Sequence, residues 1–369
     1  MMINFIFRVA LVLIIIVCIR KIFHQHLIGN GNVNEDIALE FRSSSTENEN
    51  HNISKKDWLI KMDKKYSDIN EQIKRVCNKY SITQRNDDVT SRLFFWTIKN
   101  LAICTHSKVS SSTWWKHAVG LLPNEFKKKL KKKFGNKRNS KFMAYIDNYL
   151  MKDVKEIANL SKLNEYLEKN NYITVTFVRH PFERLVSAYN SKVVREKMIR
   201  IGQHEGRGYE KWYEKDHSFM SFINLVIDEY EQYCSPFVKS GLKLFQTLPQ
   251  KYQDQIYGSM CEFDINGHWR PYASSCSYCE IKYDVIGRLE SYEEDFRYVM
   301  EKSKLQSLDS DLRENSDPSK PKKDSMKDSI RESTKALFKN IPKEMVRKLV
   351  SMFQMDFEMF DYEISSYLT

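Results

Sequence analysis

Two short polar stretches of the 369-residue chain carry side chains suited to gripping a phosphate-like anion. The first, SKVSSSTWWK at residues 107–116, places Lys108 just past a short apolar run and Ser110, Ser111, Ser112 and Thr113 at an expected helix start. Backbone N–H groups at a helix amino terminus, short hydroxyl side chains and one lysine together make an anion cradle. The same residues suit simple helix capping, so this stretch alone leaves both readings open. It lacks the GxxxxGKS/T spacing, and no second acidic strand for magnesium is evident, which disfavours a nucleoside-triphosphatase. In the second stretch, RHPFERLVSAY at 179–189, Arg179 ends a strand-like run and can fork two donors onto a phosphate, with the Ser187 hydroxyl as a further donor. Taken singly, Arg179 reads as a surface ion-pair residue and Ser187 as an indifferent helix position. The two stretches in this order favour an anion site.

The elements that must position them alternate between strand-like and helical patterns, which points to an α/β layer structure. Leu101 to Cys104 is a short strand leading into a helix at about 113–122. Ile173 to Val178 (ITVTFV) is β-branched and continuous, as a strand covered on both faces should be. It runs into a helix from about Phe182, with Pro181 in the first turn. Residues 219–230 and 293–302 read as helices and 283–287 as a strand. Each polar stretch therefore sits at the carboxyl end of a strand, where open α/β sheets bind ligands.

Composition sets the limits. With 41% hydrophobic residues the chain is neither disordered throughout nor fibrous. Its formal net charge is +11, and residues 126–141 supply nine positive charges and no acid, leaving the rest at +2. The basicity is a patch and speaks of a partner. Phe126, Leu130 and Phe134 recur every four residues, so this run reads as an amphipathic helix with a cationic face. It carries no recognised nucleic-acid motif, and a nucleic-acid partner is not expected. Residues 3–19 form one apolar segment at the short limit for a membrane span, and Arg20 and Lys21 follow where a cleavage site would be needed. An uncleaved anchor is expected, then a polar stalk at 29–56. A charged low-complexity stretch at 309–329 reads as a surface insertion. Apart from Cys18, six cysteines remain, and six allow fifteen pairings. Cys261, His268, Cys276 and Cys279 raise zinc as a possibility, but without a second C-x-x-C disulfides are preferred. Asn52 and Asn159 open glycosylation triplets.

On these residues the chain resembles the Golgi carbohydrate sulfotransferases that use 3′-phosphoadenosine 5′-phosphosulfate. The likeness is to the branch acting on N-acetylgalactosamine 4-hydroxyls of chondroitin and dermatan and on glucuronic acid. The first stretch is similar to the family's PKVxCTNWK loop, with Lys108, Val109, Ser112 and Trp114 at its Lys, Val, Thr and Trp. It departs at Ser107 for Pro, Ser111 for Cys and Thr113 for Asn. RHPFERLVSAYNSK, at 179–192, resembles the block that holds the 3′-phosphate. HWRPYASSCSYCEIKYDVIGRLESYEED, at 268–295, resembles the family's third segment, and DFEMFDY at 356–362 its tail.

The resemblance implies a P-loop-like parallel sheet flanked by helices, in one catalytic domain behind a membrane anchor and stalk. The divisions expected are 1–28 for the cytoplasmic tip and anchor, 29–90 for stalk and lead-in, and 91–369 for the luminal domain with its insertion at 309–329. It also implies a single-pass type II Golgi membrane protein, a glycan acceptor of the glycosaminoglycan class, and no metal. Donor binding falls to Lys108, Val109, Ser110, Ser111, Ser112, Thr113, Trp114, Arg179 and Ser187. Lys108 would act at the leaving oxygen and sulfonyl group, and His268 is the candidate general base, ahead of His217, His106, Glu183 and Asp216. The acceptor expected is the 4-hydroxyl of N-acetylgalactosamine. The alternatives are a glucuronic acid 3-hydroxyl, or a membrane-tethered glycosaminoglycan-binding protein without catalysis.

Overall fold

A continuous β-branched run suits a strand covered on both faces, and ITVTFV takes an inner place in the sheet, the hydroxyls of Thr174 and Thr176 being buried and hydrogen-bonded. A computed structural model of the chain describes residues 54–80, 95–135, 140–155, 157, 160–196, 209, 214–233, 265–305 and 325–368. Its four strands lie in the order β1-β2-β3-β4. β2 (Leu101–Cys104), β3 (Ile173–Val178) and β4 (Val285–Arg288) are parallel, with Cys104 beside Thr176 and Val178 beside Arg288. β1 (Phe95–Ile98) is antiparallel to β2, so the sheet is mixed where a parallel one was expected. The cause is the two-residue Lys99–Asn100 connection, with Lys99 at φ 57°, which is long enough only for a hairpin.

The helices are α1 (Lys55–Lys79), α2 (Ser111–Leu121), α3 (Asn124–Phe134), α4 (Ser140–Leu150), α5 (Leu160–Lys169), α6 (Pro181–Ala188), α7 (Phe219–Tyr233), α8 (Tyr292–Ser303), α9 (Ser325–Phe338), α10 (Lys343–Met352) and α11 (Gln354–Met359). A single helical turn, Lys152–Lys155, lies between α4 and α5. The strand expected at 283–287 begins two residues later, because Asp284 is engaged by the Thr174 amide and hydroxyl through its side chain. α9 starts inside the stretch read as low complexity; residues 306–324 lie outside those described.

One buried cluster joins the sheet to α1, α2 and α8; a second gathers Phe182, Phe222, Trp269, Phe338, Leu349 and Phe357 from α6, α7, α9, α10, α11 and the 265–271 loop. α1 falls within residues 29–90 yet shares the first core through Met62, Tyr66, Ile73 and Val76. Asp295, fully buried on α8, accepts from Tyr66 Oη at 2.6 Å, from the Arg288 amide at 2.7 Å and from Ser291 Oγ at 2.7 Å, and pairs with Lys65.

Disulfides Cys77–Cys279 and Cys104–Cys276 tie α1 and the end of β2 to one loop. The C-x-x-C sulfurs are thus committed to two different elements rather than to zinc; Cys18, Cys234 and Cys261 lie outside the described residues, as do Asn52 and Asn159. No helix among the described residues is long and apolar enough to cross a membrane, and the expected anchor at 3–19 and most of the stalk lie outside them.

The parallel strands close tightly at Gly287, where a Cβ would fall inside van der Waals contact of three atoms of the Phe177 ring. That ring is packed against Trp114 and Tyr292 at centroid distances of 5.3 Å each and has little room to retreat. Gly287→Ala is expected to cost about 1–3 kcal/mol by overpacking. Chemical denaturation of the two proteins checks it, and equal stabilities would contradict this account of the packing.

Candidate active site

The chain leaves β2 through a turn that L-residues adopt reluctantly. Lys108 has φ 70° and Ser110 φ 53°, both in the left-handed region, a cost held in place by the surrounding structure. Ser110 stands at the N-cap of α2 without a side-chain cap bond, so the reading of these serines as ordinary caps loses its main member. The first intrahelical bond runs from Trp114 N to Ser110 O at 2.9 Å, and the amides of Ser111 and Ser112 precede it. Val109, Thr113 and Trp114 are buried, at 2%, 3% and 2% exposure, so the side chains of the last two belong to the packing that holds the turn. Val109 likewise points into the core, while Ser110 and Ser111 are half-buried and Ser112 exposed.

Lys108 donates from Nζ to Ser191 Oγ at 2.6 Å. Burial, then the neighbouring Lys192 charge, push its ammonium down to about 8, with Glu196 opposing them. Ser191 and Lys192 lie on a π-helical segment, Tyr189–Arg195, that continues α6. Its wider turn gathers four polar groups: Arg195 donates to Ser191 Oγ at 3.1 Å, and Lys192 to Glu196 Oε2 at 2.9 Å.

Arg179 follows β3 directly, as expected. Its Nε donates to Glu183 Oε2 at 3.3 Å, and among the described residues neither terminal nitrogen has a hydrogen-bond acceptor. Ser187, half-buried on α6, makes no hydrogen bond among them either. Burial raises the Glu183 carboxyl, while Arg179 works against it.

Arg184, a residue the sequence reading passed over, joins three segments. At 2% exposure its guanidinium donates to the carbonyls of Ser107 at 3.0 Å, Arg270 at 2.5 Å and Gly267 at 3.1 Å. It thereby links α6, the Lys108 turn and the loop bearing His268. That loop is also held from α7, where buried Glu229 accepts from the Trp269 indole at 2.5 Å, the Asn266 amide at 3.3 Å and Tyr209 Oη at 2.5 Å. Asp356, fully buried in the tail block, accepts from the Tyr272 and Ala273 amides at 2.8 and 2.9 Å.

His268 is half-buried, with Nδ1 2.8 Å from Asn266 Oδ1. Burial, followed by the charges of Lys192, Lys108 and Arg184, holds its ring well below the usual imidazole range. Of the other candidate bases, His106 lies beside the Lys108 turn but is buried and bonded to Tyr278 Oη at 2.6 Å, while His217 and Asp216 are exposed, Asp216 accepting from the Ser218 amide. Only Lys108 and Arg179, after strands, and Ser187, on the helix that follows, carry a local signal; Arg184, Ser191 and Glu229 act through contacts distant in sequence, and Asn266 through a loop turn.

A cationic turn locked against a basic neighbouring helix is suited to an activated, multiply charged donor, and the comparisons agree with that chemistry. The chain belongs to the sulfotransferase family, whose model matches residues 91–363, and it is a sulfotransferase. It is 24% identical to carbohydrate sulfotransferase 10 of Danio rerio over 334 residues, which is 85% of this chain and 78% of that protein. Carbohydrate sulfotransferase 10 of Xenopus laevis is 23% identical over 343 residues, 91% of this chain and 85% of its own. With carbohydrate sulfotransferase 11 of Danio rerio identity is 30% over 218 residues, 57% of this chain and 54% of that one. No solved structure matches the chain.

His180, inside the second block, has a structural task. Its Nδ1 accepts from the Phe182 amide at 3.2 Å, capping α6, so its Nε2–H donates to Glu363 O at 3.0 Å. Burial pushes the ring down to about 4, against 6.5 when unfolded. Between these values the unfolded chain binds the extra proton, so stability is complete above about pH 6.5 and is lost as pH falls towards 4. This ring alone is expected to cost about 2 kcal/mol between pH 7 and pH 5. His180→Asn keeps a capping acceptor and should flatten the loss; denaturation at both pH values checks it, and an unchanged pH dependence would rule it out.

Proposed function

We propose that this sulfotransferase moves a sulfonyl group from 3′-phosphoadenosine 5′-phosphosulfate to a hydroxyl of a glycan, with N-acetylgalactosamine 4-OH of chondroitin or dermatan as the acceptor. The observation that carries the reading is the joining of the two polar corners. They leave adjacent parallel strands, and Lys108 Nζ to Ser191 Oγ and Arg184 to Ser107 O bind them into one basic surface. The donor supplies an activated sulfonyl group, whose transfer builds negative charge on the departing oxygen. Lys108, still protonated at neutral pH, is assigned to that oxygen and to the sulfonyl group. Ser110, Ser111 and Ser112, with the amides of Ser111 and Ser112 ahead of the first intrahelical bond, suit the 5′-phosphate; the amides of Val109 and Trp114 are taken by His106 O and Ser110 O, so these two residues, with buried Thr113, serve the turn by packing. The open terminal nitrogens of Arg179 and the Ser187 hydroxyl suit the 3′-phosphate. His268 is the proposed general base.

The acceptor class rests on α3. Leu130 is buried, Phe126 stacks on Tyr149 at 3.8 Å and Phe134 meets Phe142 at 5.5 Å, so the apolar stripe faces inward. Lys128, Lys129, Lys131, Lys132 and Lys133 remain exposed, a face that attracts a polyanion. The two disulfides suit an oxidising lumen, which fits the proposed Golgi location and type II topology, with residues 1–28, 29–90 and 91–369 serving as anchor, stalk with lead-in, and catalytic domain.

Radiolabelled donor offered with desulfated chondroitin, dermatan, heparan and a glucuronic acid-terminated glycan tests the reading. Label should enter chondroitin or dermatan with the wild-type protein and be absent with a folded Lys108→Ala variant. Transfer only to the glucuronic acid acceptor would replace the proposed hydroxyl, and turnover by Lys108→Ala would remove that residue's role. Neutralising the five exposed α3 lysines is expected to raise KM for a long polymer at least about fivefold at low salt and to leave a short oligosaccharide nearly unaffected. Equal effects on both would dismiss α3 as an acceptor surface.

A further inference from the structure

We infer that Asn266 is a positioning residue that fixes the tautomer of His268, leaving the lone pair on Nε2 to receive the acceptor's proton. The inference rests on the base role proposed above and goes further, by naming the atom that acts and the group that selects it.

A backbone amide has a hydrogen of fixed place. The backbone N–H of His268 lies 3.0 Å from one terminal atom of the Asn266 carboxamide, and a backbone N–H can only donate. That atom is therefore the oxygen. The same oxygen lies 2.8 Å from His268 Nδ1, and two acceptors do not attract, so Nδ1 must carry the ring proton. A neutral imidazole has one N–H, and Nε2 is left as the basic nitrogen. Among the described residues Nε2 has no hydrogen-bond partner.

The ring is neutral because of what surrounds it. Lys192 from the π-helical segment, Lys108 from the turn after β2 and Arg184 from α6 all face it with positive charge, and burial adds to their effect. Glu229 on α7, the carboxylate that reaches this loop among the described residues, is taken up by the Trp269 indole and the Asn266 amide. Asn266 itself is 1% exposed, and its carbonyl accepts from the amides of Trp269 at 3.0 Å and Arg270 at 2.9 Å. Its position is thus set by the loop's own hydrogen bonds, and the ring follows it.

In the reaction the acceptor hydroxyl oxygen forms the new S–O bond with its own electron pair and gives its proton to Nε2. The S–O bond to the nucleotide breaks, its pair staying on the departing oxygen beside Lys108, and the imidazolium later returns its proton to water. With Nε2 protonated the remaining lone pair would sit on Nδ1, turned towards Asn266, so the tautomer decides which nitrogen of the neutral ring can act as the base.

The test uses the full chain labelled with 15N-histidine and long-range 1H–15N correlation spectra, the His268 signals being assigned by their loss in His268→Gln. The wild-type ring is expected to show a protonated Nδ1 and an unprotonated Nε2. Asn266→Leu, which removes the acceptor at similar volume, should shift the ring towards the Nε2–H form and lower kcat about tenfold or more, with donor KM little changed. Asn266→Asp keeps the acceptor; it should retain the wild-type tautomer, recover most of the rate and move the acidic limb of the kcat profile to higher pH, because a carboxylate raises the imidazole. An Nε2–H ring in the wild-type protein, or an unchanged tautomer in Asn266→Leu, would overturn the inference. A shifted tautomer with full kcat would instead overturn the base role of His268 and with it the purpose assigned to Asn266. The sulfotransferase reading fails separately, through absence of label transfer by the wild-type chain.

Discussion

A buried guanidinium must find acceptors for its donors, and Arg184 finds them on three backbone carbonyls rather than on a carboxylate. Its charge lies 4.5 Å from the centre of the Tyr272 ring, which offers its negative face. Hydrogen bonds from a charged donor are worth about 1.5–3 kcal/mol each, and losing them would strand a cation at 2% exposure. The carbonyls belong to Ser107, Gly267 and Arg270, none of them in a strand or helix that would satisfy them otherwise. Arg184 therefore fixes the relative places of two irregular segments and one helix. Among the described residues no carboxylate pairs with it, and its field also reaches Lys108, His106 and His268.

The second dependence is aromatic. His180, which begins α6, meets Phe357, Tyr362 and Tyr367 at 5.2–5.6 Å, and its amide donates to Glu290 Oε1 at 2.8 Å just after β4. Tyr362 donates to the other oxygen of Glu290 at 3.1 Å. Thus the end of β3, the end of β4 and the chain's last helices meet at one point. The tail block DFEMFDY supplies both this contact and Asp356, which seats the Tyr272 turn.

The parts legible in the sequence are those whose cause is local. Leu101–Cys104 and Ile173–Val178 match their expected limits, since a continuous apolar or β-branched run reports its own burial. Pro181 marks the start of α6, and the four-residue spacing of Phe126, Leu130 and Phe134 gives α3 its facing. β1 was missed because FWTI is separated from LAIC by only two residues without a glycine, and the left-handed Lys99 that permits the hairpin has no compositional mark. The same holds at the site. Lys108, Arg179 and Ser187 stand at strand and helix ends that a pattern can locate, whereas Ser191 matters only because a π-helical turn aims it at a lysine 83 residues earlier. Cysteine pairing is the extreme case: it depends on closures of 172 and 202 residues, to which local pattern is blind.

That pairing has a consequence for biosynthesis. Cys77 and Cys104 are made early, and both must wait for partners that arrive together, three residues apart, at Cys276 and Cys279. Until the ribosome has passed that loop, the two early thiols have only each other and wrong partners to react with. The exchanged pairing, Cys77 with Cys276 and Cys104 with Cys279, joins the same segments in nearly the same places. Correct oxidation is therefore a late event that requires the nascent body to be kept reduced or repeatedly reshuffled, and the native choice is made by which side of one small loop each early cysteine can reach.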